Sequence, residues 1–275
     1  IGWWVRAAAA MAACATCTST SARRGQPMNG AEQDDAPLPH FIVTGFGPFR
    51  GVANNPTTTI VKELPSYLFS EGKCNVGLRS CSPKELASNV TTHIFETSAE
   101  DVRRWQDEWF DKLSHEVERI HSPTSSGCDE TSADAAVTLC GNKRNVVLLH
   151  LGVHYKAKCF HLESTAYNDA SFRVPDERGY QPRDECVLST DGGCARRGDK
   201  LSTTLEVAPL VKRMEARGYP SKLSGDPGRF VCNYTYCYSL DKCSQFNATA
   251  PTSFDSIGAN KTDKPTLHSI FVHVP

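Results

Sequence analysis

The sequence has almost no excess of charge of either sign, since 30 basic and 31 acidic side chains leave a formal net charge of −1. This balance argues against a basic surface for nucleic acid or for an anionic membrane. No apolar run reaches the roughly 18 residues that a membrane-spanning helix needs. We therefore expect a soluble globular protein that binds neither nucleic acid nor membrane.

The spacing typical of metal sites is also missing, although the chain has 12 cysteines. Cys232, Cys237 and Cys243 are separated by five and six residues, whereas structural zinc sites pair their ligands about two to four residues apart. A phosphate-binding loop is missing as well. Residues 45–50 (GFGPFR) have Arg50 in place of the third glycine and a proline where an N–H group would face phosphate. These gaps predict no metal and no cofactor, and they argue against a nucleoside phosphorylase.

The placement of the cysteines argues against a secreted disulfide framework, because Cys159 and Cys232 lie in apolar, strand-like surroundings. Two local bridges, Cys128–Cys140 and Cys186–Cys194, each enclose a loop and stay open as alternatives. The competing interpretation is that these residues are free thiols in a reducing cytosol, which predicts a cytoplasmic protein.

Apolar runs alternate with amphipathic segments along the chain. The apolar runs predict buried strands over residues 40–44 and 146–153. The amphipathic segments predict helices over residues 57–64, 99–120 and 203–217. Strands that alternate with helices predict an α/β fold built in layers.

The first 38 residues differ in composition from the rest. They are rich in alanine and contain Arg6, Arg23 and Arg24 but no acidic residue before Glu32. We expect a leader over residues 1–38 that is disordered or resembles a targeting segment, so that an organelle address stays an alternative to the cytoplasm. The remaining residues, 39–275, are expected to form a single domain with polar insertions near 122–145 and 241–265.

A cysteine stands at the predicted junction between an apolar stretch and a helix, in residues 229–236 (RFVCNYTY). At a helix N-terminus the positive end of the macrodipole favours the reactive thiolate. His273 lies in an apolar strand, and Glu163 is an isolated acid in a second one. A cysteine, a histidine and a carboxylate are the parts of a nucleophilic hydrolase. A buried inert cysteine and a structural histidine are the alternatives, because spacing alone does not bring these residues together.

Four motifs, in order along the chain, resemble those of the pyroglutamyl peptidase I family, also called pyrrolidone-carboxylate peptidases. They are residues 43–49 (VTGFGPF) with 55–57 (NPT), residues 163–168 (ESTAYN) with 173–176 (RVPD), residues 228–233 (GRFVCN) and residues 271–275 (FVHVP). The resemblance implies a three-layer α/β/α sandwich with a mixed, mostly parallel central sheet. It also implies a cysteine peptidase that removes an N-terminal pyroglutamyl residue from peptides, with a homo-oligomer as a further expectation.

The resemblance assigns a role to each matching residue. Cys232 is expected to be the nucleophile, His273 the general base and then acid, and Glu163 the group that orients the imidazole. The backbone N–H of Cys232 is expected to stabilise the oxyanion, with support from Arg173. The residues expected to hold the lactam ring are Phe46, Phe49 and Val231.

The chain departs from the family pattern at two places. Val153 follows Gly152 in the middle strand, where bacterial members have glutamine. The sequence given stops two residues after His273, where family members continue into a closing helix, so the resemblance implies a truncated C-terminus. The alternative function is therefore a catalytically impaired or truncated member that acts as a binding module.

Overall fold

The computed structural model describes residues 2–15, 38–70, 74–76, 79–81, 87–121, 145–188, 196–249 and 265–275. The helices of this part of the chain are α1 (Gly2–Ala15), α2 (Pro56–Ser70), α3 (Ala99–His121), α4 (Val207–Ala216) and α5 (Val231–Thr249). The strands are β1 (His40–Phe46), β2 (Cys74–Val76), β3 (Arg79–Cys81), β4 (Val90–Phe95), β5 (Val146–Val153), β6 (Phe160–Glu163), β7 (Thr165–Tyr167), β8 (Lys200–Ser202), β9 (Ser221–Ser224) and β10 (Leu267–Val274).

Six of these strands form the central sheet, in the spatial order β4-β1-β5-β10-β6-β9. All neighbours run parallel except β10 and β6, which are antiparallel. The predicted strand over residues 146–153 is β5, which is almost entirely buried, as expected for a strand covered on both faces. The predicted α/β fold with a mixed, mostly parallel sheet is confirmed.

The two faces of the sheet belong to different hydrophobic cores. Phe41 and Val43 of β1 pack in one core with α1, α2 and α4. Ile42, which points to the other face, packs in a core with α3 and α5. This alternation is the period-two pattern of a strand between two layers, and it gives the predicted α/β/α sandwich.

Helix α2 begins as its capping residues predict but ends later. The Asn55 Oδ1 atom accepts hydrogen bonds from the Thr57 backbone N–H at 3.1 Å and the Thr57 hydroxyl at 2.9 Å. The helix was predicted to end before Pro65, yet it continues to Ser70. Leu68 is only 4% exposed, and its burial helps to offset the roughly 3 kcal/mol cost of a proline inside a helix.

The leader predicted over residues 1–38 was expected to be disordered or to resemble a targeting segment. Residues 2–15 form helix α1, so disorder is wrong for them, and the targeting alternative stays a prediction. Alanine is the strongest helix former, and its small side chain lets a helix approach a sheet closely. Val5 and Met11 are 1% and 3% exposed and belong to the same core as α2 and α4. The rest of the predicted leader, residues 16–37, lies outside the described residues.

The predicted polar insertion near 241–265 is wrong at its beginning, because α5 continues to Thr249. Cys243 and Phe246 are buried in the core that α5 shares with α3, so this part of the helix is held by packing. Residues 250–264, and nearly all of the insertion near 122–145, lie outside the described residues.

Candidate active site

The three residues expected to act together are in contact. Cys232 is the second residue of α5, His273 lies near the end of β10, and Glu163 is the last residue of β6. The His273 Nδ1 atom lies 2.9 Å from the Glu163 Oε1 atom. The Cys232 side chain lies close enough to the ring to raise the pKa of His273. Since Nδ1 faces the carboxylate, Nε2 is the nitrogen available to the thiol.

The start of α5 places the thiol at a helix N-terminus, as the sequence predicts. Gly228 has a φ of +82°, a left-handed conformation that few other residues adopt, and it turns the chain into the helix. The Tyr234 N–H donates to the Phe230 carbonyl at 3.1 Å and so begins the helical ladder. The backbone N–H of Cys232 lies before this point, among those that have no acceptor within the helix.

A glycine makes room for the thiol above the sheet. A Cβ atom on Gly152 of β5 would lie 2.6 Å from the Phe271 ring and 3.1 Å from the Cys232 sulfur. A real Cβ atom does not approach an aromatic ring that closely. The absence of a side chain at this position therefore lets both Phe271 and Cys232 lie over β5.

The environment of His273 favours its protonated form. Burial lowers the pKa of His273, but hydrogen bonds to Cys232 and Glu163, together with their negative charges, raise it to about 9. The Glu163 side chain is fully buried, and its Oε2 atom has no hydrogen-bond partner in the described part of the chain. Because a buried carboxylate is costly unless it is paired, the imidazolium is its compensating charge. Such perturbed groups concentrate at functional sites.

Two further histidines lie beside His273, and no pattern in the sequence pointed to either of them. The His154 ring is perpendicular to that of His273, with 5.8 Å between centroids, and lies 5.0 Å from the His161 ring. Burial, Lys222 and His154 lower the pKa of His161, so this ring is neutral at neutral pH. Within the described residues, no three His, Cys, Asp or Glu side chains form a group suited to a metal ion.

Asn233 was also missed as part of the site. It is fully buried, and its amide nitrogen donates to the carbonyls of Tyr167 and Asp169 at 2.8 and 2.9 Å. Its Oδ1 atom accepts the Tyr167 N–H at 2.9 Å. These bonds tie the start of α5 to the segment that follows Glu163. In the sequence, Asn233 is visible only as an amide directly after the cysteine.

The residues expected to hold the lactam ring lie at different depths. Phe49 is half-buried and its ring centroid is 6.4 Å from that of Phe230. Phe46 is 3% exposed and packs 6.5 Å from Phe271, while Val231 is 1% exposed. Phe49 and Phe230 therefore form the accessible aromatic surface near the thiol, and the other two lie in the core beneath it.

Arg173 is exposed, and its guanidinium makes no hydrogen bond or ion pair that the described residues show. Its neighbour Phe172 is buried and packs edge-on against Phe230, with 5.0 Å between the ring centroids. The segment is thus anchored near the site, but the structure does not connect the Arg173 side chain to Cys232.

The fold and the site together define a class: an α/β/α sandwich protein with a cysteine, a histidine and a carboxylate arranged as in a nucleophilic hydrolase. A family model described as pyroglutamyl peptidase matches residues 114–257, just over half of the chain. The chain therefore belongs to the pyroglutamyl peptidase family. The matched residues include Glu163 and Cys232 and end before His273.

Relatives agree with this membership. The chain is 26% identical over 234 residues to a pyrrolidone-carboxylate peptidase of Enterococcus faecalis, covering 85% of this chain and 77% of that one. It superposes on the pyrrolidone carboxyl peptidase of Fervidobacterium islandicum with a TM-score of 0.53 at 20% identity, covering 86% and 81% of the two chains. The pyroglutamyl peptidase I of Bacillus amyloliquefaciens gives a TM-score of 0.52 at 20% identity, covering 86% and 82%. At such identities the two structures support the fold.

Proposed function

We propose that this chain is a cysteine peptidase that hydrolyses the bond after an N-terminal pyroglutamyl residue of peptides. Its family is that of the pyroglutamyl peptidases, and its relatives are named pyrrolidone-carboxylate peptidases. The observation that carries the proposal is the contact between the buried Glu163 carboxylate and His273 Nδ1, with the Cys232 thiol close enough to raise the pKa of the same imidazole.

The first half of the reaction forms a thioester. The Cys232 thiolate attacks the pyroglutamyl carbonyl carbon, and the π electrons of that bond move onto the oxygen. The N–H of Cys232, at the start of α5, is positioned to donate to this oxyanion. One such donor typically stabilises the transition state by about 3–4 kcal/mol. When the intermediate collapses, the C–N bond breaks and the leaving amine takes a proton from His273 Nε2.

The second half releases the product. Neutral His273 now accepts a proton from water while the water oxygen attacks the thioester carbonyl. Collapse of this second intermediate expels the Cys232 thiolate and leaves free pyroglutamate. Glu163 keeps the proton on Nδ1 and stabilises the imidazolium each time it forms, which is the role of the acid in such triads.

The chemistry of the substrate fits the aromatic surface. A pyroglutamyl ring is a neutral lactam without a free amine, so an apolar pocket desolvates no charge. We assign ring contact to Phe49, with Phe46 and Val231 supporting it from the core. Because Val153 replaces the family glutamine, backbone groups are proposed to bind the lactam amide. The assignment of Arg173 to oxyanion support rests on the sequence motif alone.

The remaining expectations stay proposals. We propose a single peptidase domain over residues 39–275, against which α1 packs, and a location in the cytoplasm. Support for a reducing compartment comes from Cys159 and Cys186, which are free thiols. No helix among the described residues is long and apolar enough to cross a membrane. Homo-oligomer formation stays a prediction.

The test is release of aminocoumarin from a pyroglutamyl substrate, compared with a prolyl substrate that lacks the lactam carbonyl. We expect turnover of the pyroglutamyl compound alone, abolished by Cys232→Ser and retained by Cys159→Ser, which alters another half-buried thiol. Turnover that survives Cys232→Ser would refute the nucleophile. A folded wild-type protein without turnover would favour the alternative of a binding module.

A further inference from the structure

Tyr236 lies one helical turn after Cys232 on α5, and its hydroxyl reaches β6, the strand that carries Glu163. This hydroxyl donates a hydrogen bond of 2.9 Å to the backbone carbonyl of Glu163. The Tyr236 side chain is fully buried. Burial raises the pKa of Tyr236, so the phenol remains a neutral donor throughout the working pH range.

No other hydrogen bond in the described part of the chain joins α5 to β6. Elsewhere the helix is tied to β10 through Ser239, whose hydroxyl lies 2.8 Å from that of Ser269, and to α3 through Tyr238. The hydrogen bond from Tyr236 is therefore the direct polar contact between α5, which carries Cys232, and β6, which carries Glu163.

The orientation of the acid depends on its backbone. The Glu163 Oε1 atom contacts His273, while Oε2 has no hydrogen-bond partner among the described residues. Among the residues that the structure describes, no second side chain bonds to the carboxylate, so its direction depends on the position of the Glu163 main chain. A group that fixes this main chain also fixes the line from Glu163 through His273 to the thiol.

We propose that Tyr236 is a positioning residue, which sets the distance between the Cys232 helix and the Glu163–His273 pair. It touches no reacting atom and acts through Glu163. Catalytic groups need to be held within about 0.5 Å of their working geometry, and a displacement of about 1 Å can cost on the order of 100-fold in rate. This inference rests on the proposed function, because it assigns the pair its catalytic role.

The test is the Tyr236→Phe variant, which keeps the ring in the core and removes only the hydroxyl. The matched control is Tyr238→Phe on the same helix, whose hydroxyl donates to the Asp107 carboxylate at 2.6 Å, away from the site. We expect Tyr236→Phe to lower kcat for the pyroglutamyl substrate at least about 10-fold, with KM nearly unchanged. Its activity should also decline at a lower pH on the basic side, because a displaced Glu163 supports the His273 imidazolium less well. The control should keep the kcat and pH profile of the wild type.

A second measurement does not depend on peptidase turnover. The rate of Cys232 alkylation by iodoacetamide, recorded against pH, reports the thiolate and its imidazolium partner. Tyr236→Phe should change this profile and Tyr238→Phe should not, with thermal midpoints confirming that both are folded at the assay temperature. If both variants match the wild type in kcat and in alkylation, the positioning role is refuted. If the wild type fails to hydrolyse the substrate while the alkylation profiles differ, the proposed function fails and the positioning role stands.

Discussion

Replacing Glu163 by glutamine removes one negative charge and leaves an oxygen that still accepts from His273 Nδ1. The pKa of His273 is about 9 rather than the ordinary 6.5, and Glu163 and Cys232 both raise it against the effect of burial. A carboxylate at this distance typically raises the pKa of its partner by about one to three units. We therefore expect the pKa of His273 to fall to about 6–8 in Glu163→Gln.

The assay for this prediction is the pH dependence of kcat/KM for the pyroglutamyl substrate. In the wild type, activity should decline as the pH rises through about 9, because His273 loses the proton that it gives to the leaving amine. In Glu163→Gln that decline should move to lower pH by about one to three units. At neutral pH, kcat should fall by roughly 10²–10⁴-fold, as when the acid of a triad is neutralised. An unchanged basic limb would refute the claim that the Glu163 charge sustains the imidazolium.

Three other predictions concern stability and packing. Because the pKa of His273 is raised on folding, its stabilising contribution, at most about 3 kcal/mol, is complete below about pH 6.5 and is lost as the pH rises through about 9. Urea unfolding at both ends of this range should show the loss in the wild type, and an equal loss in His273→Gln would contradict it. Gly152→Ala places a Cβ atom 2.6 Å from Phe271, so kcat should fall at least about 10-fold and stability by about 1–3 kcal/mol. Gly225→Ala, whose Cβ atom would meet nothing closer than 3.8 Å, should match the wild type, and equal effects of the two would refute the packing argument. Asn233→Asp cannot donate to the two carbonyls it now binds and should cost about 2–4 kcal/mol in denaturant unfolding, whereas a cost below about 1 kcal/mol would show that these bonds are dispensable.

Local sequence patterns were sufficient to predict those elements whose local preference and tertiary packing favour the same structure. The run over residues 146–153 is apolar throughout because β5 is covered on both faces. Asn55 and Pro56 mark the start of α2 because capping depends only on neighbouring residues. The meeting of Cys232, His273 and Glu163 needed a resemblance between motifs, since these residues come from three elements that are far apart in the sequence.

Features that depend on tertiary contacts were not predictable from local patterns. Pro65 signals the end of a helix, but the buried Leu68 keeps α2 helical beyond it. The composition of the alanine-rich segment favours a helix, but its burial depends on the core that it shares with α2 and α4. Tyr236 and Asn233 owe their importance to backbone carbonyls on other elements, which no spacing in the sequence reveals.

The central claim is that Cys232 carries the pyroglutamyl group as a thioester. The most direct test is mass spectrometry of the protein quenched in acid during turnover of an activated pyroglutamyl ester, followed by peptide mapping. The account predicts one pyroglutamyl group on the peptide that contains Cys232, and none on that peptide in Cys232→Ser. A pyroglutamyl group on another thiol, such as Cys159 or Cys186, or turnover by Cys232→Ser at the wild-type rate, would contradict it.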